Sequence, residues 1–137
     1  AAIPGPVLEL GLGNGRTYDH LRSLLPDREI FVFDRRVAAH SECVPDDRHL
    51  ILGDLSETLR DAGQRIGAPA ALAHCDLGSG DAGRDRALAA RVGPALAPLM
   101  APGGVIVGDQ DYRLDGWSRL DLPPSVASGR YFLYRVA

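Results

Sequence analysis

The chain has 137 residues, 45% hydrophobic and 24% charged, with a formal net charge of -3. This is ordinary globular composition, sufficient for a single domain over residues 1–137 in which roughly two-thirds of the unfolded chain's surface is buried. No apolar run approaches the roughly 20 residues that span a bilayer, no signal sequence is visible, and the mild acidity gives no strong nucleic-acid signal. The two cysteines, Cys43 and Cys75, have no metal-binding spacing, so a reducing, cytoplasmic setting is expected.

In chain order, Val7-Leu8-Glu9-Leu10 reads as a short strand. The turn Gly11-Leu12-Gly13-Asn14-Gly15 follows, and then a helix capped by Thr17 with apolar positions Tyr18, Leu21, Leu24 and Leu25. Glycines at alternate positions let the main chain turn sharply and bring a ligand against bare backbone. The free N–H groups at the helix start favour an anionic ligand group. A dinucleotide fingerprint, G-x-G-x-x-G, would put its third glycine at position 16, where Arg16 stands and would crowd the pyrophosphate. The pattern present is Glu9-x-Gly11-x-Gly13-x-Gly15. It resembles the first motif of class I S-adenosylmethionine-dependent methyltransferases, E/D-x-G-x-G-x-G. The strand starts soon after Pro4-Gly5-Pro6 and no initiator Met is present, so upstream residues are expected to be missing, removed or disordered, which matters because that family often places substrate-contacting helices before its first strand.

Pro26-Asp27 stops the first helix, and Glu29 to Phe33 is a strong strand ending at Asp34. Two strands around a helix form a right-handed βαβ unit with parallel strands. An acid at the end of the second strand is placed to accept hydrogen bonds from two ribose hydroxyls, and the resemblance assigns that role to Asp34. Arg35 and Arg36 are expected to face solvent or nearby acids, and His40 and His49 to lie at the surface. A short third strand, His49 to Leu52, precedes Gly53-Asp54-Leu55. By resemblance, Asp54 meets the adenine amine and Leu55 packs on the ring; the alternative is that Asp54 caps the next helix, a task Ser56 could share. That helix runs from Ser56 to Ile66, with Leu55, Leu59, Ala62 and Ile66 facing the core.

Ala70 to Cys75 is an alanine-rich fourth strand ending at Asp76, followed by the pliable Leu77-Gly78-Ser79-Gly80. An N/D-P-P-Y motif, common there in amino-methylating relatives, is missing. A helix capped by Asp81 carries Leu88, Val92, Ala95, Leu96 and Leu99 on its apolar face and is expected to kink or split at Gly93-Pro94. A Pro102-Gly103-Gly104 turn, also typical of the family, enters the fifth strand, Val105 to Val107. Asp76, Asp109 and Gln110 fall where some catechol-type relatives bind magnesium. Gln in place of Asn and a different glycine motif favour reading them as polar residues lining the cleft, with no metal site. Trp117 to Leu122 and Tyr131 to Val136 supply a closing antiparallel hairpin. Tyr112 and Trp117 are expected to pack the short linker before it or border the acceptor pocket.

The resulting expectation is a doubly wound, Rossmann-like α/β fold: a three-layer sandwich with five parallel strands and a C-terminal antiparallel hairpin. The resemblance implies methyl transfer from S-adenosyl-L-methionine, leaving S-adenosyl-L-homocysteine, to a small-molecule acceptor, in a chain able to form a homo-oligomer. Its donor site would comprise Glu9, Gly11, Gly13, Gly15, Asp34, Asp54, Leu55 and Asp76, with Glu9 organising the loop near the donor's ammonium. Asp76, His74 and Asp109 are the candidates for removing an acceptor proton. An NAD-dependent oxidoreductase domain and a non-catalytic nucleoside-binding module are the alternatives.

Overall fold

The computed structural model describes residues 3–37, 39, 41–112, 114–125 and 130–137; His40 lies outside them. Seven strands form one sheet: β1 (Val7–Leu10), β2 (Ile30–Asp34), β3 (Leu50–Leu52), β4 (Ala70–Cys75), β5 (Met100–Gly108), β6 (Ser118–Leu120) and β7 (Phe132–Arg135). Their order is β3-β2-β1-β4-β5-β7-β6. The first five are mutually parallel, and β7 runs antiparallel to both β5 and β6. Parallel strands, central hairpin-free connections and the closing antiparallel pair therefore match the expected doubly wound fold.

Side chains alternate across the sheet, which splits the core in two. Leu8, Leu10, Phe31, Phe33, Cys75 and Ile106 face helices α2 (Leu55–Asp61), α3 (Gly63–Ile66) and α4 (Ala82–Leu96), meeting Leu59, Ile66, Val92 and Leu96. Val7, Ile30 and Val32 face α1 (Arg16–Leu24), where Tyr18 is buried and Leu21 and Leu25 pack against it. All four residues of β1 are buried, because helices cover both faces of a central parallel strand. Glu9 is the exception of type in that run. Among the described residues no helix is long and apolar enough to cross a membrane.

Several local expectations change. Helix α1 starts at Arg16, and its N-cap is Gly15 with φ 84°, in place of Thr17. The stretch from Ser56 to Ile66 breaks at Ala62 into α2 and α3, and Asp54 is the N-cap, its side chain accepting from Ser56 N–H. Helix α4 does begin at Asp81, which accepts from the N–H groups of Gly83 and Arg84, but it continues through Pro94 to Leu96. Pro94 is exposed, so its ring sits on the solvent side, and the helix tightens into a 3-10 turn over Ala97–Leu99. Pro102-Gly103-Gly104 lies inside β5, which begins at Met100, not Val105. The pairing jumps from Ala70↔Met100 to Leu72↔Val105, so these residues form an irregularity that re-registers the strand. His49 is largely buried at 19% side-chain exposure, its ring 5.0 Å from that of Phe31. Tyr112 is core at 1% exposure, and Trp117 packs against the same cluster.

Candidate active site

The βα turn after β1 is held from both sides. Gly11 N–H donates to Phe33 C=O at 2.8 Å, and Leu12 N–H donates to Asp34 Oδ2 at 2.9 Å. The second carboxylate oxygen of Asp34 accepts from Arg35 N–H at 2.7 Å. Asp34 thus ties the end of β2 to the glycine turn and keeps lone pairs for further donors. Gly11 has φ 92°, and a Cβ there would lie 2.3 Å from the Asp76 carbonyl oxygen. Gly13 has φ 53° and nothing within 4 Å of a Cβ position. The first glycine is therefore needed by the protein's own packing, while the second leaves open space beside bare backbone.

That space belongs to a cleft of about 500 Å³ at the carboxyl ends of β1, β2 and β4. It lies where the chain order reverses across the sheet, the position at which open α/β sheets take ligands. Gly11, Gly13, Asp34, Asp54, Leu55 and Asp76 all line it, which brings together six of the eight expected donor residues. Gly15 and Glu9 are elsewhere: Gly15 is buried and packs on Cys43, and Glu9 lies within the sheet. One face of α4 completes the wall with Arg84, Leu88 and Arg91. Their spacing of four and three residues places them on one helix side, a signal hidden because Leu88 also fits a core stripe.

The loop after β4 is clamped between β5 and α4. Asp109 accepts from Gly78 N–H at 2.7 Å, Leu77 N–H at 3.3 Å and Tyr112 O–H at 3.0 Å. Three donors therefore converge on Asp109, which ties the loop after β4 to the end of β5. Among the described residues no three His, Cys, Asp or Glu side chains form a group that could hold a metal ion. From the other side Asp85, 7% exposed, accepts from Ser79 N–H at 3.0 Å and Ser79 O–H at 2.6 Å. Asp85 belongs to no motif in the sequence, and its role emerges only from its hydrogen bonds to Ser79.

The Ser79 hydrogen bonds hold the Asp85 carboxyl below the ordinary aspartate value of 3.8. A depressed carboxyl stabilises the fold above its unfolded pKa, and that contribution disappears as pH falls through the folded value. We expect Asp85→Asn to lower the melting temperature by a constant amount between pH 5 and 8, with the gap to wild type closing below about pH 4. Thermal unfolding across pH checks this; a gap that persists in acid would show that the charge of Asp85 is not what holds Ser79.

Glu9 and His74 are direct neighbours across β1 and β4, with Nδ1 of His74 2.6 Å from Glu9 Oε1. Glu9 is fully buried, and its Oε2 has no hydrogen-bond partner among the described residues. Burial pushes the Glu9 carboxyl above its ordinary value despite the opposing pull of His74. For His74, burial lowers the pKa, but the hydrogen bond and charge of Glu9, with Asp76 and Asp109, leave it raised overall. A second pocket of about 250 Å³ opens over this pair, lined by Thr17, His74, Cys75, Asp76, Asp109, Arg130 and Tyr131. Asp76 belongs to both cavities. Cys75 is buried with its thiol pKa strongly raised by burial, which makes it a packing residue without nucleophilic character.

Comparison with known proteins bears directly on this geometry. A family model described as S-adenosyl-L-methionine methyltransferase matches residues 1–136. No curated protein sequence matches the chain. Among solved structures, an S-adenosyl-L-methionine methyl transferase from Silicibacter pomeroyi DSS-3 is 46% identical over 96% of this chain and 81% of its own, with a TM-score of 0.88. MycE methyltransferase from the mycinamycin biosynthetic pathway, in complex with Mg and S-adenosylhomocysteine, is 26% identical over 78% of this chain and 27% of its own, with a TM-score of 0.55. The aminoglycoside resistance methyltransferase NpmB1 shares the fold at 14% identity, a TM-score of 0.65, and coverage of 100% of this chain and 89% of its own. The oxidoreductase and non-catalytic alternatives fall away. A match of this length, to a family whose methyl donor needs a glycine turn of the kind found after β1, means that the chain belongs to the S-adenosyl-L-methionine methyltransferase family.

Proposed function

We propose that the 500 Å³ cleft seats S-adenosylmethionine and that the methyl group passes to a small-molecule acceptor. The observation that carries this reading is the open backbone at Gly13 beside the Asp34 carboxylate. Cleft size is in the usual range for a nucleoside-sized ligand. In this reading Gly11 and Gly13 border the methionine part, Asp34 accepts from the ribose hydroxyls, and Asp54 and Leu55 receive the adenine. Glu9, buried in β1 just before the turn, organises the loop from within the sheet, and Gly15 supports the turn from behind. Asp76 sits on the wall common to both cavities.

The donor's sulfonium makes its methyl group electrophilic. The chain's own residues need to align the acceptor with it and keep water out, so orientation supplies much of the rate. The second cavity, about 250 Å³, suits a small acceptor, and the net charge of -3 supports one that is not a polyanion. We further propose that residues 1–137 act as one catalytic domain, in the cytoplasm, with self-association into a homo-oligomer open to direct measurement by ultracentrifugation.

Isothermal calorimetry tests the donor assignment. S-adenosylhomocysteine is expected to bind with one site per chain and micromolar or tighter affinity, and NADH to give no heat. Binding of NADH with no response to the thioether would overturn it.

A further inference from the structure

We propose that the pocket over the Glu9–His74 pair is the acceptor site, that its substrate is a small uncharged hydroxyl compound, and that His74 takes the hydroxyl proton while Glu9 positions the imidazole. This rests on the donor assignment and adds the other half of the reaction.

A carboxylate with 1% side-chain exposure in the middle of a sheet is costly unless it is put to use. Here it has a single partner, Nδ1 of His74 at 2.6 Å. The bond selects the tautomer with hydrogen on Nδ1, because an ionised carboxylate only accepts. That leaves Nε2 as the basic atom, and it has no hydrogen-bond partner among the described residues. His74 in turn lines the pocket that joins the donor cleft at Asp76. The carboxylate-imidazole arrangement fixes the ring and compensates the positive charge it gains on protonation, the same logic by which a buried acid supports a histidine base in other enzymes.

The three candidates for the proton can now be separated. Asp109 already accepts from Leu77 N–H, Gly78 N–H and Tyr112 O–H, and is engaged in holding the loop after β4. Asp76 is exposed on the wall shared by the two cavities, and near neutral pH a carboxylate is as a class a weaker base than an imidazole. His74 remains. The groups facing it are Glu9 from β1, Asp76 beyond β4, Asp109 beyond β5, and Arg130 and Tyr131 before β7. Asp76 and Asp109, against the cation of Arg130, leave the wall acidic on balance, which disfavours an anionic acceptor, and a dedicated base implies an acceptor that must lose a proton. In the step, the acceptor oxygen bonds to the methyl carbon as the carbon–sulfur bond breaks and its electron pair stays on sulfur. The hydroxyl proton moves to Nε2 of His74 and later to solvent.

The experiment uses the full chain, a panel of small phenols and alcohols, and pyridine and dimethyl sulfide as acceptors without a proton at the attacking atom. Release of S-adenosylhomocysteine is the readout. At least one hydroxyl compound is expected to turn over, with kcat rising with pH through one ionisation above the ordinary histidine value. His74→Gln should lower kcat about 100-fold or more with thioether affinity within about twofold of wild type. Glu9→Gln should move the ionisation to lower pH. Should Glu9→Gln not fold, nitrogen NMR of wild-type His74 decides the pairing: the neutral ring should carry its hydrogen on Nδ1. Full activity in His74→Gln, turnover of none of the hydroxyl compounds, turnover of only the proton-free acceptors, or hydrogen on Nε2 would each overturn the proposal. Failure of wild type to bind the thioether would overturn the donor site itself; thioether binding with any of the preceding results overturns the acceptor assignment alone.

Discussion

Gly11→Ala is expected to destabilise the protein by about 3–5 kcal/mol, roughly 10–20 °C in melting temperature. Two costs combine. The backbone at φ 92° is a conformation that alanine adopts only under strain, and the new Cβ would sit 2.3 Å from the Asp76 carbonyl oxygen. That oxygen is main chain and cannot swing aside as a side chain would. The turn after β1 and the end of β4 would have to separate, and those two segments are the floor of the donor cleft. Gly13→Ala is the matched control. With φ 53° and nothing within 4 Å, it should cost about 1 kcal/mol. If the space beside Gly13 is where the donor lies, the same variant should lose at least about tenfold in S-adenosylhomocysteine affinity. Thermal unfolding and calorimetry on the two variants separate a folding role from a binding role. A Gly11 variant as stable as wild type would show that the two segments do not touch as described. A Gly13 variant with unchanged affinity would move the ligand away from the turn.

The second large effect is expected at Asp34. Asp34→Ala should weaken S-adenosylhomocysteine binding by about 100- to 1000-fold. Two hydrogen bonds from sugar hydroxyls to an ionised group are worth roughly 3–4 kcal/mol together. Part of the loss would come through the protein itself, because Leu12 N–H and Arg35 N–H donate to the same carboxylate. Asp34→Asn discriminates the contributions. Its amide oxygen can still accept from Leu12 N–H, so the turn should hold and the melting temperature stay near wild type, while one ribose partner and the negative charge are lost. An affinity for Asp34→Asn intermediate between wild type and alanine is the expected result. Unchanged affinity in the alanine variant would remove Asp34 from the site, and equal loss of stability in both variants would make it a structural residue only.

Much of this protein was legible without a structure. Elements were set by local signals: the apolar strands β1, β2 and β4, Asp81 as a helix cap, and the hydrophobic positions Leu59, Ile66, Val92 and Leu96 all lie where period and propensity put them. The glycine motif pointed to the ligand end of the sheet because its spacing encodes a backbone demand that few turns share. The boundaries that moved did so for reasons of packing. Thr17 lost the cap to Gly15 because the chain enters α1 through a left-handed residue, and β5 begins at Met100 because its first residues pair with Ala70 before the register shifts.

The residues that sequence alone determined are those whose role depends on near neighbours in the chain: strand, turn, cap and helix face. Only the tertiary structure decided which of the acids are free to act. Asp109 ends up as a clamp on the loop after β4 and reaches Gly78 from 31 residues away, whereas Asp85 clamps the same loop from only six residues on. Glu9 meets His74 across 65 residues. Whether a carboxylate is a base, a clamp or the support of a histidine depends on what desolvates it and which donors reach it, and those partners are brought together only when β1, β4, β5 and α4 pack.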